Sequence, residues 1–215
     1  MKNTYPILAL ALAFAASIWT PSASALGVSP MDQHLSHSNA QGALRVFNTT
    51  DYPARYEITV DRLSVDANGD QVVVPTADLA FYPASVFELA PGQAQTIRWR
   101  RTSGDATSEL VYKVEVSEDI QNDGPATSLL TMKPRARLVW NFTSSGALPV
   151  LKAQATGAGT VLRNEGSALA RIRSATVGGI TSEPFRILPG QRMTLPAGTT
   201  VRVDVQGDVQ TLTVE

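Results

Sequence analysis

Residues 55–60 read RYEITV, and in this stretch every polar residue is followed by an apolar one. Residues 112–116 (YKVEV) and 201–205 (VRVDV) follow the same period of two. This period is typical of a β-strand with one buried face, because successive side chains of a strand point to opposite sides. The alternation predicts an all-β chain.

Turn sequences separate these predicted strands. Residues 66–70 read DANGD, and the Asn-Gly pair inside this segment suits the positive φ angles of a tight hairpin. Residues 90–92 (APG) and 188–190 (LPG) combine a proline that presets φ with a permissive glycine. Short strands between such turns are typical of antiparallel sandwiches.

A weak internal repeat divides the chain. Arg55 follows Asn48 by seven residues, Arg171 follows Asn164 by seven, and each pair is trailed by a Pro-Gly-Gln turn. The repeat predicts two related sandwich units, with chance similarity between turn-rich β sequences as the alternative. We expect the first unit to cover residues 26–143 and a small-residue linker to cover 144–147. The second unit, residues 148–215, is short for a sandwich of roughly 100 residues, and we expect it to lack strands.

The first 25 residues have the pattern of a secretory signal peptide. Lys2 precedes an apolar run, and Ala23 and Ala25 provide the small residues that signal peptidase requires. The run is shorter than the helix of about 20 residues that crosses a bilayer, although a membrane anchor is the alternative. We therefore expect an exported chain beginning at Leu26 that has no membrane span after cleavage.

The composition narrows the classes of function. The chain has 215 residues, of which 18 are basic and 19 acidic, so the formal net charge is −1. This balance argues against binding to nucleic acid, which needs an electropositive surface. The chain has no cysteine, which excludes disulfides and thiolate chemistry. No cofactor is expected.

The chain is also predicted not to be an enzyme. His34 and His37 are the only histidines, and their spacing lacks the glutamate and the i, i+4 pattern of a helical zinc site. Asp32 with both histidines could bind a metal opportunistically, but no dedicated metal site is expected.

Several segments in order carry a family resemblance. They are residues 28–30 (VSP), 45–48 (RVFN), 81–92 (FYPASVFELAPG), 95–98 (QTIR), 118–120 (EDI) and 135–138 (RARL). Together they resemble the PapD-like periplasmic pilus-assembly chaperones, with a start that is more similar to the alternative branch. The resemblance implies two immunoglobulin-like domains in an L shape. It also implies a periplasmic protein that holds pilus subunits and passes them to an outer-membrane usher.

The resemblance assigns a donor strand to residues before 138. In this family a strand of the first domain fills the groove of an incomplete subunit sandwich. When Arg137 is matched to the family's basic anchor, Ser128, Leu130 and Met132 fall on the donating face. The alternative is that Leu130 and Met132 fill the chain's own core.

The resemblance also implies an anchor for the subunit's C-terminal carboxylate. Arg137 occupies the position of the family's lysine, and Arg135 lies two residues away on the same face. The family's second basic residue has no counterpart in residues 31–35 (MDQHL), where Gln33 lies nearest the expected position and His34 could substitute when protonated. Surface ion pairs are the ordinary alternative for Arg135 and Arg137.

One further family feature departs from the pattern. Glu109 stands where the interdomain salt bridge begins, but Asn141 stands where its arginine partner would be. The domain angle must then be held by packing or by another pair. The alternative function is a structural surface protein, either a pilin or an immunoglobulin-like adhesion module.

Overall fold

The computed structural model describes residues 26–39, 41–102, 108–118 and 134–215. These ranges contain ten strands up to residue 143: β1 (Leu26–Ser29), β2 (Gln33–Ser36), β3 (Gln41–Asn48), β4 (Ala54–Val65), β5 (Gln71–Pro75), β6 (Leu79–Tyr82), β7 (Val86–Leu89), β8 (Ala94–Arg101), β9 (Leu110–Glu118) and β10 (Arg135–Thr143). Eight more follow: β11 (Leu151–Thr156), β12 (Gly159–Asn164), β13 (Ala170–Val177), β14 (Ile180–Thr181), β15 (Phe185–Ile187), β16 (Arg192–Leu195), β17 (Thr200–Val205) and β18 (Asp208–Thr213). Within the described ranges, no helix is long and apolar enough to cross a membrane.

The first ten strands form two sheets. One has the order β1-β3-β8-β6, and the other has the order β2-β10-β9-β4-β5 with β7 paired to β4. Aromatic rings fill the space between them: the centroid of Trp99 lies 5.3 Å from that of Trp140 and 5.6 Å from that of Phe142. All three side chains are fully buried. Trp99 alternates with the exposed Arg98 and Arg100, so β8 buries one face only.

The second unit is a smaller sandwich. Its sheets have the orders β11-β12-β16 and β14-β13-β17-β18, with β15 paired to β13. The core between them is aliphatic and includes Leu162, Ile172, Ile187 and Val203. The predicted shortage of strands is wrong, since this unit has eight strands; they fit because each is only 2–8 residues long. The predicted all-β fold of two immunoglobulin-like sandwiches is confirmed.

The internal repeat is a repeated hydrogen-bond motif. The buried Asn48 donates from Nδ2 to the carbonyl oxygens of Tyr52 (2.9 Å) and Leu89 (3.0 Å), and its Oδ1 accepts from the backbone N–H of Thr50 (2.9 Å). This side chain therefore ties the turn that follows β3 to the end of β7. We call this arrangement the asparagine corner of the first unit.

Asn164 makes the matching asparagine corner of the second unit. Its Nδ2 donates to the carbonyl oxygens of Ala168 (2.7 Å) and Ile187 (3.1 Å), and its Oδ1 accepts from the backbone N–H of Gly166 (3.0 Å). The offsets of two and four residues are those found around Asn48. The predicted repeat is thus confirmed as a local structure with the same bonding in both units.

The two units are joined by an apolar cluster and by backbone hydrogen bonds. Leu169 and Leu188 of the second unit pack with residues on the outer face of the six-stranded sheet: Leu63, Val65, Val111 and Val139. The N–H of Glu109 donates to the carbonyl of Ser167 (2.7 Å), and the N–H of Arg192 donates to the carbonyl of Gly69 (2.8 Å). The second unit therefore covers one end of this sheet.

Candidate functional site

Strand β10 has an open edge in its first half. On one side it pairs with β9 from Arg135 to Phe142. On the other side it pairs in parallel with β2, but only from Trp140 to Thr143. Among the described residues, no strand pairs with residues 135–139 on that second side. Backbone groups on such an edge are free to pair with an additional strand.

One face of β10 is apolar and faces the core, whereas the other face carries charged, exposed side chains. Leu138, Trp140 and Phe142 point into the core of the first unit, and Ala136 packs against the same core. Side chains of the other parity, such as Arg135 and Arg137, point outward and are exposed. Ser128, Leu130 and Met132 have the parity of the core-facing residues, but they belong to residues 119–133 and lie outside the described residues. The predicted signal peptide, residues 1–25, lies outside them as well.

Arg135 and Arg137 share one carboxylate. Nε of Arg137 lies 3.0 Å from Oε2 of Glu115, and Nη1 of Arg135 lies 3.6 Å from Oε1 of the same residue. The arginine side chains are 65% and 49% exposed, whereas that of Glu115 is 14% exposed. The structure therefore brings the two predicted anchor residues together on one face, with one of their two charges balanced internally.

A polar cluster ties Glu109 to the second unit. The side-chain amide of Asn141 donates to Oε1 of Glu109, and the backbone N–H of Leu169 donates to Oε2 of Glu109 at 2.8 Å. Arg171 reaches across from β13, with Nη2 donating to Oδ1 of Asn141 at 2.8 Å and lying 3.9 Å from Oε1 of Glu109. The buried carboxylate of Glu109 thus has both hydrogen-bond donors and a cation.

Arg171 supplies the guanidinium that the sequence lacks at position 141. Burial lowers the pKa of Arg171, the charge of Glu109 opposes this shift, and the charge of Arg186 adds to it. The sequence did single out Arg171 as part of the repeat, but its contact with Glu109 spans 62 positions, and no local pattern indicates it. This pair, the apolar cluster and the two backbone hydrogen bonds join the two units.

The pairing of β2 with β10 determines which faces Gln33 and His34 occupy. Gln33 pairs with Trp140 and His34 with Asn141 in the parallel register of β2 and β10. Neighbours in register share a face, so Gln33 lies on the core side and His34 lies on the side of the interdomain cluster. Nδ1 of His34 is 2.9 Å from Nη2 of Arg171. His34 is therefore part of the interdomain cluster and Gln33 is not.

The opportunistic metal site is not assembled. His37 is held at the other end of its segment, where Arg101 donates to its carbonyl oxygen (2.6 Å) and lies 3.0 Å from its Nδ1. His34 is occupied by the interdomain cluster. In the described part of the chain, no group of three His, Cys, Asp or Glu side chains is placed to hold a metal ion.

Several solved structures that resemble this chain are fimbrial chaperones, alone or in complexes with a subunit. No protein-family model and no curated protein sequence matches the chain. The E. coli chaperone DraB matches with a TM-score of 0.61 and 21% identity over 88% of this chain and 95% of that one. A chain of the CsuC–CsuE chaperone–tip subunit pre-assembly complex of Acinetobacter baumannii Csu pili matches with a TM-score of 0.62 and 16% identity, covering 79% of this chain and 89% of that one.

A third match is a chain of a chaperone–tip adhesin complex of CFA/I fimbriae. Its TM-score is 0.65 at 13% identity, and the match covers 88% of this chain and 99% of that one. At such identities the comparisons establish the fold. The resemblance predicted from the sequence is confirmed at that level: this chain has the two-sandwich fold of the PapD-like fimbrial chaperones.

Proposed function

We propose that this chain is a periplasmic chaperone that stabilises pilus subunits by donating a β-strand and delivers them to an outer-membrane usher. The open edge of β10, in a chain whose fold matches fimbrial chaperones over most of its length, is the observation that carries the proposal. Because one fold can host many functions, the proposal depends on this unpaired edge more than on the fold.

Strand donation needs backbone hydrogen bonds and apolar side chains, and the open edge of β10 offers the backbone groups. An additional strand can bond to residues 135–139 on the side that β9 leaves free, as in other cases of β-strand addition. The core-facing residues of β10 continue the apolar interior of the first unit up to Ala136. A guest sandwich seated against this edge would extend that interior instead of starting a new one.

The side-chain half of the donation is assigned to Leu130 and Met132, with Ser128 as a smaller third residue. If the alternation of β10 continues toward the N-terminus, these three side chains point to the same side as Leu138. Burying a leucine or a methionine in a receiving groove stabilises the complex by about 1.5–3 kcal/mol each. It also covers apolar surface that would otherwise promote aggregation of the subunit.

Arg137 and Arg135 are proposed to anchor the subunit's C-terminal carboxylate. They lie on the outward face of the donating strand, and Glu115 balances only one of their two charges. A guanidinium can bind a carboxylate through two parallel hydrogen bonds. Replacement of Arg137 by Ala should therefore weaken subunit binding, whereas the same replacement of the exposed Arg202 on β17 should not.

The test is co-purification from the periplasm. The chain is co-expressed with exported β-rich proteins encoded beside it, and the Leu130→Asp/Met132→Asp double variant is compared with the wild type. We expect the wild type to retain a subunit and the variant to lose it, because two carboxylates cannot enter an apolar groove without losing their hydration.

The matched control is Val73→Asp/Val74→Asp, which places the same charges at two exposed apolar positions on β5. It should retain the subunit. Circular dichroism is the measurement that checks whether both double variants are folded. Equal capture by the wild type and the Leu130→Asp/Met132→Asp variant would overturn strand donation.

A further inference from the structure

The outer face of the four-stranded sheet β1-β3-β8-β6 carries charge of one sign only. Arg45 on β3 and Arg98 and Arg100 on β8 are exposed on this face. None of the four strands contains an aspartate or a glutamate. Since the whole chain has a formal net charge of −1, its other residues sum to −4. This face is therefore positive in an otherwise acidic molecule.

An open cavity of about 650 Å³ lies on this face. Its wall includes the side chains of Gln41, Ala43, Tyr82, Arg98 and Arg100. The strand register brings them together, because Arg98 lies directly opposite Ala43 on β3 and Tyr82 on β6. Arg100 lies directly opposite Gln41. The short side chain of Ala43 leaves room beside the two arginines.

Arg98 and Arg100 have no ionic partner among the described residues. No carboxylate of the described ranges lies within ion-pair distance of either guanidinium, and the described lining of the cavity has no acidic residue. On the six-stranded sheet, cations of the outer face do have such partners: Lys113 with Asp61, and Arg135 and Arg137 with Glu115. A cleft lined by unpaired charges of one sign attracts a ligand of the opposite sign.

Arg45 belongs to the same face but not to the cavity. Its guanidinium carbon lies 4.8 Å from the ring centroid of Phe47, and Arg45 does not line the cavity. A guanidinium over an aromatic face is held there by a cation–π interaction. Arg45 thus provides a reference for the general charge of the face, as distinct from the cavity.

We infer that the cavity binds the phosphate group of a phosphorylated sugar or polyol. Arg98 and Arg100 are two residues apart on one strand, so their side chains leave the same face about 7 Å apart. One guanidinium fork occupies both oxygens of a carboxylate, whereas a tetrahedral phosphate offers further oxygens to a second fork. The amide of Gln41 and the hydroxyl of Tyr82 are additional neutral donors in the same wall.

Tyr82 favours a sugar or polyol as the carrier of the phosphate. Its side chain is 54% exposed and forms part of the cavity wall. A tyrosine ring offers an apolar surface for the C–H groups of a sugar ring, and its hydroxyl can bond to the sugar's hydroxyl groups. The phosphorylated group has two sources, a soluble sugar phosphate or the headgroup of a lipid. The cavity lies on the other sheet from the open edge of β10, so the inference does not depend on strand donation.

The experiment is a calorimetric titration of the purified protein with glucose 1-phosphate, inorganic phosphate and glucose at constant ionic strength. The probed variant is Arg98→Gln/Arg100→Gln. The matched control is Arg45→Gln/Arg202→Gln, which removes the same number of charges at exposed positions outside the cavity. Thermal unfolding checks whether both double variants are folded.

We expect glucose 1-phosphate to bind at least tenfold more tightly to the wild type and to the control than to Arg98→Gln/Arg100→Gln. Glucose should bind to none of them. Tyr82→Ala should weaken the binding of glucose 1-phosphate and leave that of inorganic phosphate unchanged. Absence of binding to the wild type, undiminished binding to Arg98→Gln/Arg100→Gln, or an equal loss in the control overturns the inference. Equal affinities for glucose 1-phosphate and inorganic phosphate overturn the role of the sugar.

Sedimentation with phosphatidylcholine vesicles, with and without phosphatidylinositol 4-phosphate, separates the two sources. Binding that requires the phosphorylated lipid and is lost in Arg98→Gln/Arg100→Gln assigns the site to a lipid headgroup. Binding of glucose 1-phosphate without vesicle binding assigns it to a soluble sugar phosphate. The Leu130→Asp/Met132→Asp variant should bind both ligands like the wild type, so loss of subunit capture leaves this inference intact.

Discussion

In the first sandwich, Asn48 closes a corner above an aromatic core, and the arginine seven residues later faces Glu88. In the second, Asn164 closes the same corner above an aliphatic core, and the equivalent arginine faces Arg186. The hydrogen bonds that each asparagine makes to the backbone two and four residues later are the same in both units, while the charges across from the two arginines differ.

This difference separates the part of the motif that the corner requires from the part that can vary. A buried asparagine that satisfies several backbone groups is needed wherever the chain makes this corner, because orphaned carbonyls are costly. The cross-strand partner of the arginine has no such requirement. Its change from glutamate to arginine places two arginines opposite each other in the second unit.

The largest effect is expected at the corners themselves. Asn48→Ala and Asn164→Ala each leave at least two backbone carbonyls without their donor, so each should lower the free energy of unfolding by about 3 kcal/mol. Urea unfolding of the two variants measures this. Asn68→Ala, at an exposed turn position, should change stability by less than about 0.5 kcal/mol. A difference of more than about 2 kcal/mol between the two corners would contradict their equivalence.

The next largest effect is a difference in stability loss between variants of the equivalent arginines Arg171 and Arg55. Arg171→Gln removes the cation beside the buried Glu109 and should cost about 2 kcal/mol. Arg55→Gln removes a cation that faces Glu88 and should cost less than about 1 kcal/mol. Calorimetry reports both values, and small-angle scattering reports whether the units separate in Arg171→Gln alone. Equal losses of stability in the two variants would show that Arg171 does not hold the two units together.

High pH should weaken the first corner only. The Tyr56 hydroxyl donates to Oδ1 of Asn48, whereas Ile172 stands at the same offset from Asn164. Burial, aided by the charge of Glu118 and by Tyr52, raises the pKa of Tyr56 to about 12 from an ordinary 10.0. The unfolded chain therefore loses this proton at lower pH than the folded one, so stability is unaffected below pH 10 and falls between pH 10 and 12.

The test compares the unfolding free energies of the wild type and Tyr56→Phe from pH 9 to pH 11.5. The wild type should lose more stability over this range than Tyr56→Phe, while Tyr82→Phe, at an exposed tyrosine, should follow the wild type. Parallel curves for the wild type and Tyr56→Phe would show that the Tyr56 hydroxyl is not linked to folding.

The smallest effect on stability is expected from exchanging the charges that face the two arginines across the strands. Arg186→Glu gives the second corner the pairing of the first and should stabilise the protein by about 0.5 kcal/mol. Glu88→Arg gives the first corner the pairing of the second and should destabilise it by a similar amount. Thermal unfolding at low ionic strength measures both changes. Destabilisation by Arg186→Glu would mean that the repulsion between Arg171 and Arg186 is already compensated.

The sequence predicted the fold because the signals involved are local. Alternation in residues 55–60, the Pro-Gly-Gln turns and the Asn48 and Asn164 spacing each depend on a few neighbouring positions. These were enough for two sandwiches and for the resemblance to fimbrial chaperones. The second unit was expected to lack strands because it is short, yet it holds eight strands because each is only 2–8 residues long.

The site was predicted less completely because it depends on long-range register. Whether Gln33 or His34 faces the second unit is decided by pairing of β2 with β10, more than 100 residues later in the chain. The contact of Arg171 with Glu109 likewise joins different units. Arg135 and Arg137 were found through the resemblance, and their role as an anchor stays a prediction.

The central claim is that the chain lends a strand along the open edge of β10. Hydrogen exchange of the backbone amides of residues 128–139, with and without a bound subunit, tests it most directly. The account predicts that amides pointing away from β9 exchange quickly in the free protein and at least a hundredfold more slowly in the complex. Unchanged exchange along this edge in a complex that retains its subunit would contradict strand donation.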